Sequence, residues 1–215
     1  IVPWQLLAEQ VGASLKVVPM DRTGTLVEAE VERTIGPRTK MLALVHVSNA
    51  LGTVNPVKRI SSYARDRGVA VLIDGAQAAA HLPIDVQDIG CDFYVISGHK
   101  MFGPTGIGVL YGRSDLLEAM PPYQGGGEMI RSVSFEGSSF ADPPAKFEAG
   151  TPHIAGAIGM GVAARYLRSL DWDSVRRHEE ELLEYATSEL DKVPGLEIVG
   201  TAERKAAVVS FVLEG

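Results

Sequence analysis

Polar residues follow two short apolar runs in the middle of the chain, and their types could carry out chemistry together. The first run, Val69 to Ile73, ends at Asp74, and Gln77 follows three residues later. The second run, Phe93 to Ile96, leads into Ser97-Gly98-His99-Lys100. Open α/β sheets place ligand sites at the C-terminal ends of their strands, so we expect these residues to converge. An acid, an amide and a lysine at one such edge suit pyridoxal phosphate, whose aldehyde a lysine binds and whose ring nitrogen an acid protonates.

Each of these residues also has a simpler structural interpretation. Asp74 stands where a helix N-cap would, which is a common use of aspartate. Gln77 alone fits an exposed helical position, and a polar strand end would explain Ser97 and His99. Most lysines are solvated, but Lys100 ends a buried strand, where desolvation lowers an amine pKa and favours the nucleophilic neutral form. The functional interpretation therefore depends on the five residues occurring together.

Buried strands and helices alternate along the first part of the chain and must position these residues. Met41 to Val47 is almost entirely apolar, which predicts a strand buried on both faces. A helix starting at Asn55-Pro56, with the asparagine as N-cap, leads to the strand that ends at Asp74. Residues 41–74 thus form a predicted βαβ unit. Ile107 to Tyr111 is expected to return as an antiparallel strand.

The remaining segments complete a predicted α/β fold with a second domain. Leu15 to Pro19 is a strand candidate, and Thr25 to Glu28 matches a capping box. Pro121 to Pro152 has no clear period, which is typical of functional or mobile loops. Two helices and two late strands follow, and the change of pattern near Leu170 predicts a domain boundary. We expect a large domain over 1–170, with a mixed sheet and helices on both faces, and part of a smaller α+β domain over 171–215.

Longer motifs around these residues resemble the class V aminotransferase family of pyridoxal phosphate enzymes of fold type I. The family resemblance begins with DGAQ at 74–77 and SGHKMFGPTGIGVLYG at 97–112. Three further motifs narrow it to the SUF-type (group II) cysteine desulfurases and their selenocysteine-lyase relatives: HVSNALGT at 46–53, GGGEMI at 125–130 and FEAGTP at 147–152. The resemblance runs along nearly the whole chain and implies the large domain of that fold type.

The resemblance implies roles around the cofactor ring. Lys100 would bind the cofactor aldehyde and later move the α-proton of the substrate, as the one catalytic residue in this chain. Asp74 would pair with the ring nitrogen, and Gln77 would contact the phenolic oxygen. Asn49 would lie beside the cofactor and the substrate carboxylate. His46 is left open between a catalytic role and that of an interior histidine.

The resemblance also implies a phosphate site shared between two subunits. Ser97 and His99 would hold the cofactor phosphate, and Thr151 would reach it from the partner subunit. A homodimer is therefore expected, with the loop from Gly125 to Thr151 at the interface.

For the parent protein, the resemblance implies removal of sulfur from L-cysteine, or from L-selenocysteine in the relatives. Alanine and an enzyme persulfide would result, and a sulfur-acceptor protein would pass the sulfur to iron–sulfur cluster assembly. The nucleophilic cysteine and the substrate-binding arginine are expected beyond Gly215, and a ring-stacking histidine before Ile1. The chain would then be an internal segment that is inactive alone. Cys91, its one cysteine, is predicted to be a core residue.

Two other classes of function remain open from the sequence. A sister class V enzyme, such as a selenocysteine lyase, a kynureninase-like hydrolase or an epimerase, would share the same cofactor residues. A non-catalytic scaffold of the same fold would not need them all intact. A nicotinamide-binding domain is disfavoured because no G-x-G-x-x-G motif follows a strand.

Composition excludes several partners. The 215 residues carry a net charge of −7 without a basic cluster, so we expect no nucleic-acid binding. No apolar run reaches the ~18 residues that a membrane helix needs. A single cysteine fits a reducing compartment, and a cytoplasmic location is expected.

Overall fold

A four-stranded mixed sheet forms the centre of the computed structural model, which describes residues 1–214. Its strands lie in the order β1 (Met41–Val45), β2 (Ala70–Asp74), β3 (Phe93–Ser97) and β4 (Gly108–Gly112). The first three are parallel and β4 is antiparallel to β3. The prediction of an α/β fold with a mixed, mostly parallel sheet is confirmed.

Seven helices and two hairpins surround the sheet in the described residues. The helices are α1 (Val2–Val11), α2 (Glu28–Thr34), α3 (Val57–Arg65), α4 (Val86–Ile89), α5 (Ser114–Ala119), α6 (Ile154–Ser169) and α7 (Trp172–Leu190). One hairpin pairs β5 (Ile130–Val133) with β6 (Ser138–Phe140), and the other pairs β7 (Leu196–Val199) with β8 (Ser210–Leu213). Short 3-10 turns occupy Ala78–Ala80, Gly98–Lys100 and Ala145–Phe147.

The largest core cluster packs α3 against the sheet. Its buried members are Val57, Ala64, Val69, Val71, Ile73, Ile89, Cys91 and Tyr94. Just before β3, the buried carboxylate of Asp92 accepts hydrogen bonds from the Val71 N–H at 2.8 Å and from Arg113 Nη1–H at 2.9 Å. A buried carboxylate needs such partners, because burial without them costs several kcal/mol, on the order of a lost ion pair.

A second core cluster packs α6 against the turn that follows β3. It consists of Ala79, Met101, Met160, Ala163 and Leu167. The two clusters together fix the ends of β2 and β3, and therefore the residues that follow them.

Several local predictions are wrong, and competing contacts explain why. Residues 15–19 form no strand, and only an isolated bridge joins Met20 to Leu26. The predicted capping box does not form, because the Thr25 hydroxyl is hydrogen-bonded to the Thr23 hydroxyl within a turn. Helix α2 begins after Val27 and has no side-chain cap. Asn55 does not cap α3, since its amide donates to the Val45 carbonyl at 2.9 Å.

Strand β1 is buried less than its apolar sequence predicts. Leu42 and Leu44 are half-buried, but Met41 and Val45 on the opposite face are 38% and 36% exposed. The prediction that this strand is buried on both faces is therefore wrong for the described residues.

Helices α6 and α7 follow each other with a break at Leu170 and Asp171. The Asp171 carboxylate accepts the Asp173 N–H and begins α7 as an N-cap. The domain boundary predicted near residue 170 falls at this break and stays a prediction. Across residues 1–214, none of the helices combines the length and the apolarity needed to cross a membrane.

Candidate active site

Strands β2 and β3 carry the predicted residues to one edge of the sheet. Asp74 is the last residue of β2 and pairs in register with Val95 of the parallel β3. Ser97 ends β3, and Lys100 ends the 3-10 turn that follows. Because the two strands run in the same direction, the structure places these residues at the same edge.

Asp74 is held by its backbone and retains a free carboxylate oxygen. Its carbonyl accepts the His46 N–H at 2.8 Å, and the next amide, that of Gly75, donates to the Val95 carbonyl at 2.9 Å. Its Oδ1 accepts the Ala76 N–H at 2.9 Å, which partly fulfils the capping interpretation. Within residues 1–214, the other oxygen, Oδ2, has no hydrogen-bond or ion-pair partner and is available to a ligand.

A buried tyrosine and histidine lie beneath the Asp74–Gly75 peptide. The Tyr94 hydroxyl and His46 Nδ1 are 2.9 Å apart, and their rings meet edge to face with centroids 6.1 Å apart. Burial, with a smaller contribution from the charge of Arg204, lowers the pKa of His46 to about 4. Burial also raises the pKa of Tyr94. Both side chains are neutral near pH 7, and the burial of His46 fits the interpretation as an interior histidine.

The turn after β3 positions Lys100. The Gly98 N–H donates to the Ile107 carbonyl, and the Gly103 N–H donates to the Gly98 carbonyl, each at 2.9 Å. A Cβ at Gly98 would lie 2.8 Å from the Pro104 carbonyl oxygen, so only glycine allows this close return of the chain. Lys100 is half-buried, and none of the hydrogen bonds or ion pairs of the described residues involves its amine. The amine is free to react.

Ser97 and His99 form a polar pair beside Lys100. Ser97 Oγ and His99 Nδ1 are 2.9 Å apart, and the imidazole is exposed. If the hydroxyl donates, the neutral imidazole keeps an N–H at Nε2; if the imidazole donates, the hydroxyl proton stays free. In both arrangements the pair offers one donor to an anion.

Gln77 is linked to two residues that the sequence analysis did not identify. Its Nε2 lies 3.3 Å from His81 Nε2, and His81 Nδ1 lies 2.8 Å from Glu179 Oε1. The spacing of four residues between Gln77 and His81 was a readable signal. The partner on α7, 98 positions further on, was not.

Asn49 and Thr151 are exposed and lie outside this hydrogen-bonded group. Asn49 is at the tip of a turn that the Ser48 N–H closes by donating to the Thr53 carbonyl at 2.9 Å. Thr151 follows Gly150, whose N–H donates to the Gly127 carbonyl at 2.8 Å. Among the described residues neither side chain hydrogen-bonds to the residues from Asp74 to Lys100.

The donor set at this edge fits a phosphorylated pyridine aldehyde. A carboxylate with a free oxygen suits the ring nitrogen, an unpaired amine suits the aldehyde, and a serine–histidine pair suits the phosphate. Two cavities, of about 610 and 970 Å³, open elsewhere on the molecule, and neither is lined by Asp74 or Lys100. The candidate site is therefore identified by the chemistry of its side chains. No cluster of metal-ligating side chains occurs within residues 1–214.

Comparison with known proteins finds one family and consistent relatives. The sequence profile of the family described as Aminotransferase class-V matches residues 1–215. The chain is 54% identical over its whole length to the probable cysteine desulfurase 1 of Mycobacterium leprae, of which it spans 35%. It is 52% identical to the probable cysteine desulfurase of Xylella fastidiosa strain Temecula1, again over its whole length, and spans 52% of that protein.

Solved structures agree with these relatives. The cysteine desulfurase CsdA of Escherichia coli has a TM-score of 0.94 at 40% identity, with all of this chain and 53% of that one covered. A variant of C-DES with glycine covalently linked to its PLP cofactor has a TM-score of 0.86 at 26% identity, with 99% of this chain and 58% of that one covered. The chain thus spans about half the length of the solved structures that it matches.

Proposed function

The chain belongs to the aminotransferase class-V family, and from that premise we propose that it forms the cofactor-binding part of a pyridoxal-phosphate-dependent cysteine desulfurase. The enzyme releases sulfur from L-cysteine and leaves L-alanine and an enzyme persulfide. The observation that carries the proposal is the position of Asp74 and Lys100 at the same end of two adjacent parallel strands. The names of the relatives, at 54% and 52% identity, support the choice of substrate.

Three residues act on the cofactor ring and its aldehyde. Bound pyridoxal phosphate supplies an aldehyde that takes up amines and a ring that accepts the electron pair left at the substrate α-carbon. Lys100 binds the aldehyde through Nζ, and its freedom from ion pairs supports that role. Asp74 keeps the ring nitrogen protonated with its free oxygen, because an adjacent carboxylate favours the cationic form. Gln77 donates an amide N–H to the phenolic oxygen.

Lys100 also moves the proton. With cofactor and substrate bound, Nζ of Lys100 would act as the general base that accepts the α-proton of the substrate. The side chain of Lys100 is half-buried, which limits the hydration of that amine.

The phosphate and the substrate carboxylate are held by the polar residues around this edge. Ser97 and His99 donate to the phosphate, as their hydrogen-bonded pair permits in both arrangements. Thr151 of the partner subunit completes the phosphate site, with the loop from Gly125 to Thr151 at a homodimer interface. Asn49 lies by the substrate carboxylate. Residues 1–170 then form the large cofactor-binding domain and 171–215 the start of a smaller one.

The sulfur-accepting thiol is not Cys91. Its side chain is 2% exposed, and burial raises its pKa to about 11, so it is neither accessible nor a thiolate near pH 7. We place the accepting cysteine and the carboxylate-binding arginine elsewhere in the parent protein. The persulfide is passed to a sulfur-acceptor protein for iron–sulfur cluster assembly, in the cytoplasm.

Product analysis of the holoenzyme tests this function. With L-cysteine and a thiol reductant, we expect equal amounts of L-alanine and sulfide, and no turnover by Lys100→Ala. Parallel assays use L-selenocysteine and cystine, since the structure of a cystine C–S lyase bound to cysteine persulfide also matches at 26% identity. Alanine from selenocysteine alone would indicate a selenocysteine lyase. Persulfide from cystine without any alanine would indicate a lyase of the C-DES kind.

A further inference from the structure

Three side chains form a hydrogen-bonded relay from helix α7 to the turn that follows β2. Glu179 on α7 contacts His81 Nδ1 through Oε1 at 2.8 Å and Oε2 at 3.1 Å. The other ring nitrogen, Nε2, lies 3.3 Å from Nε2 of Gln77. Gln77 is the residue that the proposed function assigns to the phenolic oxygen of the cofactor. The relay therefore joins α7 to the proposed cofactor site.

Glu179 occupies an inward position that the helical period would normally give to an apolar residue. Val175, Glu179 and Leu183 are spaced four apart on the inner face of α7 and are all half-buried. The Glu179 and His81 side chains are 24% and 17% exposed. The other glutamates of this helix are exposed: Glu180, Glu181, Glu184 and Glu189. Since burying a carboxylate costs free energy unless it is paired, Glu179 marks a specific contact with His81.

An ionised Glu179 determines the direction of its own hydrogen bond with His81, and a neutral imidazole then determines that of the next bond. An ionised carboxylate only accepts, so His81 Nδ1 must carry the proton that lies between them. In the neutral imidazole, Nε2 is then an acceptor, and the Gln77 amide nitrogen donates to it. The amide is thereby held with its nitrogen towards His81, and its second N–H remains available to a ligand.

We infer that Glu179 and His81 are positioning residues that orient the Gln77 amide so that its free N–H meets the phenolic oxygen of the bound cofactor. The inference rests on the proposed function and goes beyond it, because it makes a helix of the predicted second domain part of the cofactor site. Neither residue touches the cofactor. Their effect passes through Gln77 alone.

The pH midpoint of the absorbance change of the bound cofactor reports this effect directly. A hydrogen-bond donor to the phenolic oxygen withdraws negative charge from it. The cationic nitrogen that joins Lys100 to the cofactor then loses its proton more easily. Loss of the donor therefore moves the midpoint to higher pH. Among the described residues, Glu179 is the one titratable group hydrogen-bonded to His81. We expect Glu179→Gln and His81→Ala to raise the midpoint in the holoenzyme by roughly half to one pH unit, the equivalent of one hydrogen bond.

A double-mutant cycle separates the relay from a general structural effect. Glu179→Gln should add no further shift in a Gln77→Ala background, because both changes remove the same donor. Glu180→Gln, which removes an exposed carboxylate from the same helix, is the matched control and should leave the midpoint in place. An unmoved midpoint in Glu179→Gln and His81→Ala, or shifts that add to that of Gln77→Ala, would overturn the inference.

Failure of the proposed function has a different signature. Borohydride reduction of the wild-type holoenzyme should attach the cofactor to Lys100. A protein without that label would overturn the proposed function and the relay with it. A normal label together with an unmoved midpoint would overturn the relay alone.

Discussion

The ring of Tyr94 fills the space that a side chain at Gly75 would need: a Cβ built there lies 2.0 Å from Cε1 of the tyrosine. Gly75 directly follows Asp74, and its N–H is bound to β3 while the Asp74 carbonyl is bound to His46. The peptide that carries the proposed ring-nitrogen partner is thus held by β3, by His46 directly after β1, and by the ring of Tyr94. Packing of Tyr94 against Gly75 therefore fixes the direction of the Asp74 side chain.

Gly75→Ala should destabilise the protein and displace Asp74. The new methyl group overlaps the ring of Tyr94, which is fully buried and has no space to move into. Such overpacking costs about 1–3 kcal/mol of unfolding free energy. Chemical denaturation and the cofactor dissociation constant measure the two effects. Gly36→Ala is the matched control, because a Cβ at Gly36 meets nothing within 4 Å. Unchanged stability and cofactor affinity in Gly75→Ala would contradict this account of the contact.

Asp74→Asn should remove the charge and keep the turn. The asparagine side-chain oxygen can still accept the Ala76 N–H, so denaturation should show wild-type stability. Loss of the carboxylate leaves the ring nitrogen without its ionic partner, and kcat/KM should fall by about 10² to 10³. Steady-state kinetics checks the loss, with the exposed Asp88→Asn as control. Activity within tenfold of wild type would exclude Asp74 from the proposed role.

His46 should make the protein less stable in acid. Burial lowers the pKa of His46 from 6.5 to about 4. In the unfolded chain this histidine is therefore protonated below about pH 6.5, whereas in the folded chain it is protonated only below about pH 4. The stabilisation is complete above pH 6.5 and is lost as the pH falls towards 4. From pH 8 to pH 5 this site should lower the unfolding free energy by about 2 kcal/mol.

The His46→Gln variant supplies the comparison for that pH dependence. Glutamine can still hydrogen-bond the Tyr94 hydroxyl but does not titrate, so its denaturation free energy should fall less between the same two pH values. Equal slopes in the two proteins would show that another group causes the acid sensitivity.

Cys91 should be inert in the folded protein. With 2% exposure and a pKa raised to about 11 by burial, its thiol should resist alkylation until denaturant is added. Cys91→Ala should retain desulfurase activity while losing about 1 kcal/mol of stability to the cavity. Mass spectrometry of alkylated peptides and an activity assay test both. A well-folded Cys91→Ala protein without activity would give this thiol a role that its burial argues against.

The sequence was sufficient to predict the elements with strong periodicity and the residues at which the sheet strands end. The apolar runs before Asp74 and Ser97 are too short for helices and end in polar residues, so β2 and β3 could be predicted with the edge that they share. Helix α1 ends at Gly12, which adopts the left-handed conformation that glycine commonly takes after a helix.

What the sequence did not show depends on competing local contacts, on exposed strands without an alternating pattern, and on contacts between distant residues. The hydroxyl of Thr25 has a local partner in Thr23, which competes with the predicted cap of α2. The hairpin of β5 and β6 lies within the stretch predicted as a loop. It was not predicted because its residues are exposed and carry no alternating pattern. Glu179 meets His81 across 98 positions, and its inward orientation among other glutamates on α7 emerges only from the folded chain.

The central claim is that Lys100 holds an aldehyde cofactor beside Asp74, and borohydride reduction followed by peptide mapping tests it most directly. The holoenzyme is reduced and digested, and the peptide that spans Lys100 is sequenced by mass spectrometry. Lys146, which lies in the same chain and donates to the carbonyl of Glu118 at 2.9 Å, serves as the internal control. We predict a pyridoxyl label on Lys100, none on Lys146, and none in Lys100→Ala. A label on another lysine, or no label in a protein that is folded and saturated with cofactor, would contradict the account.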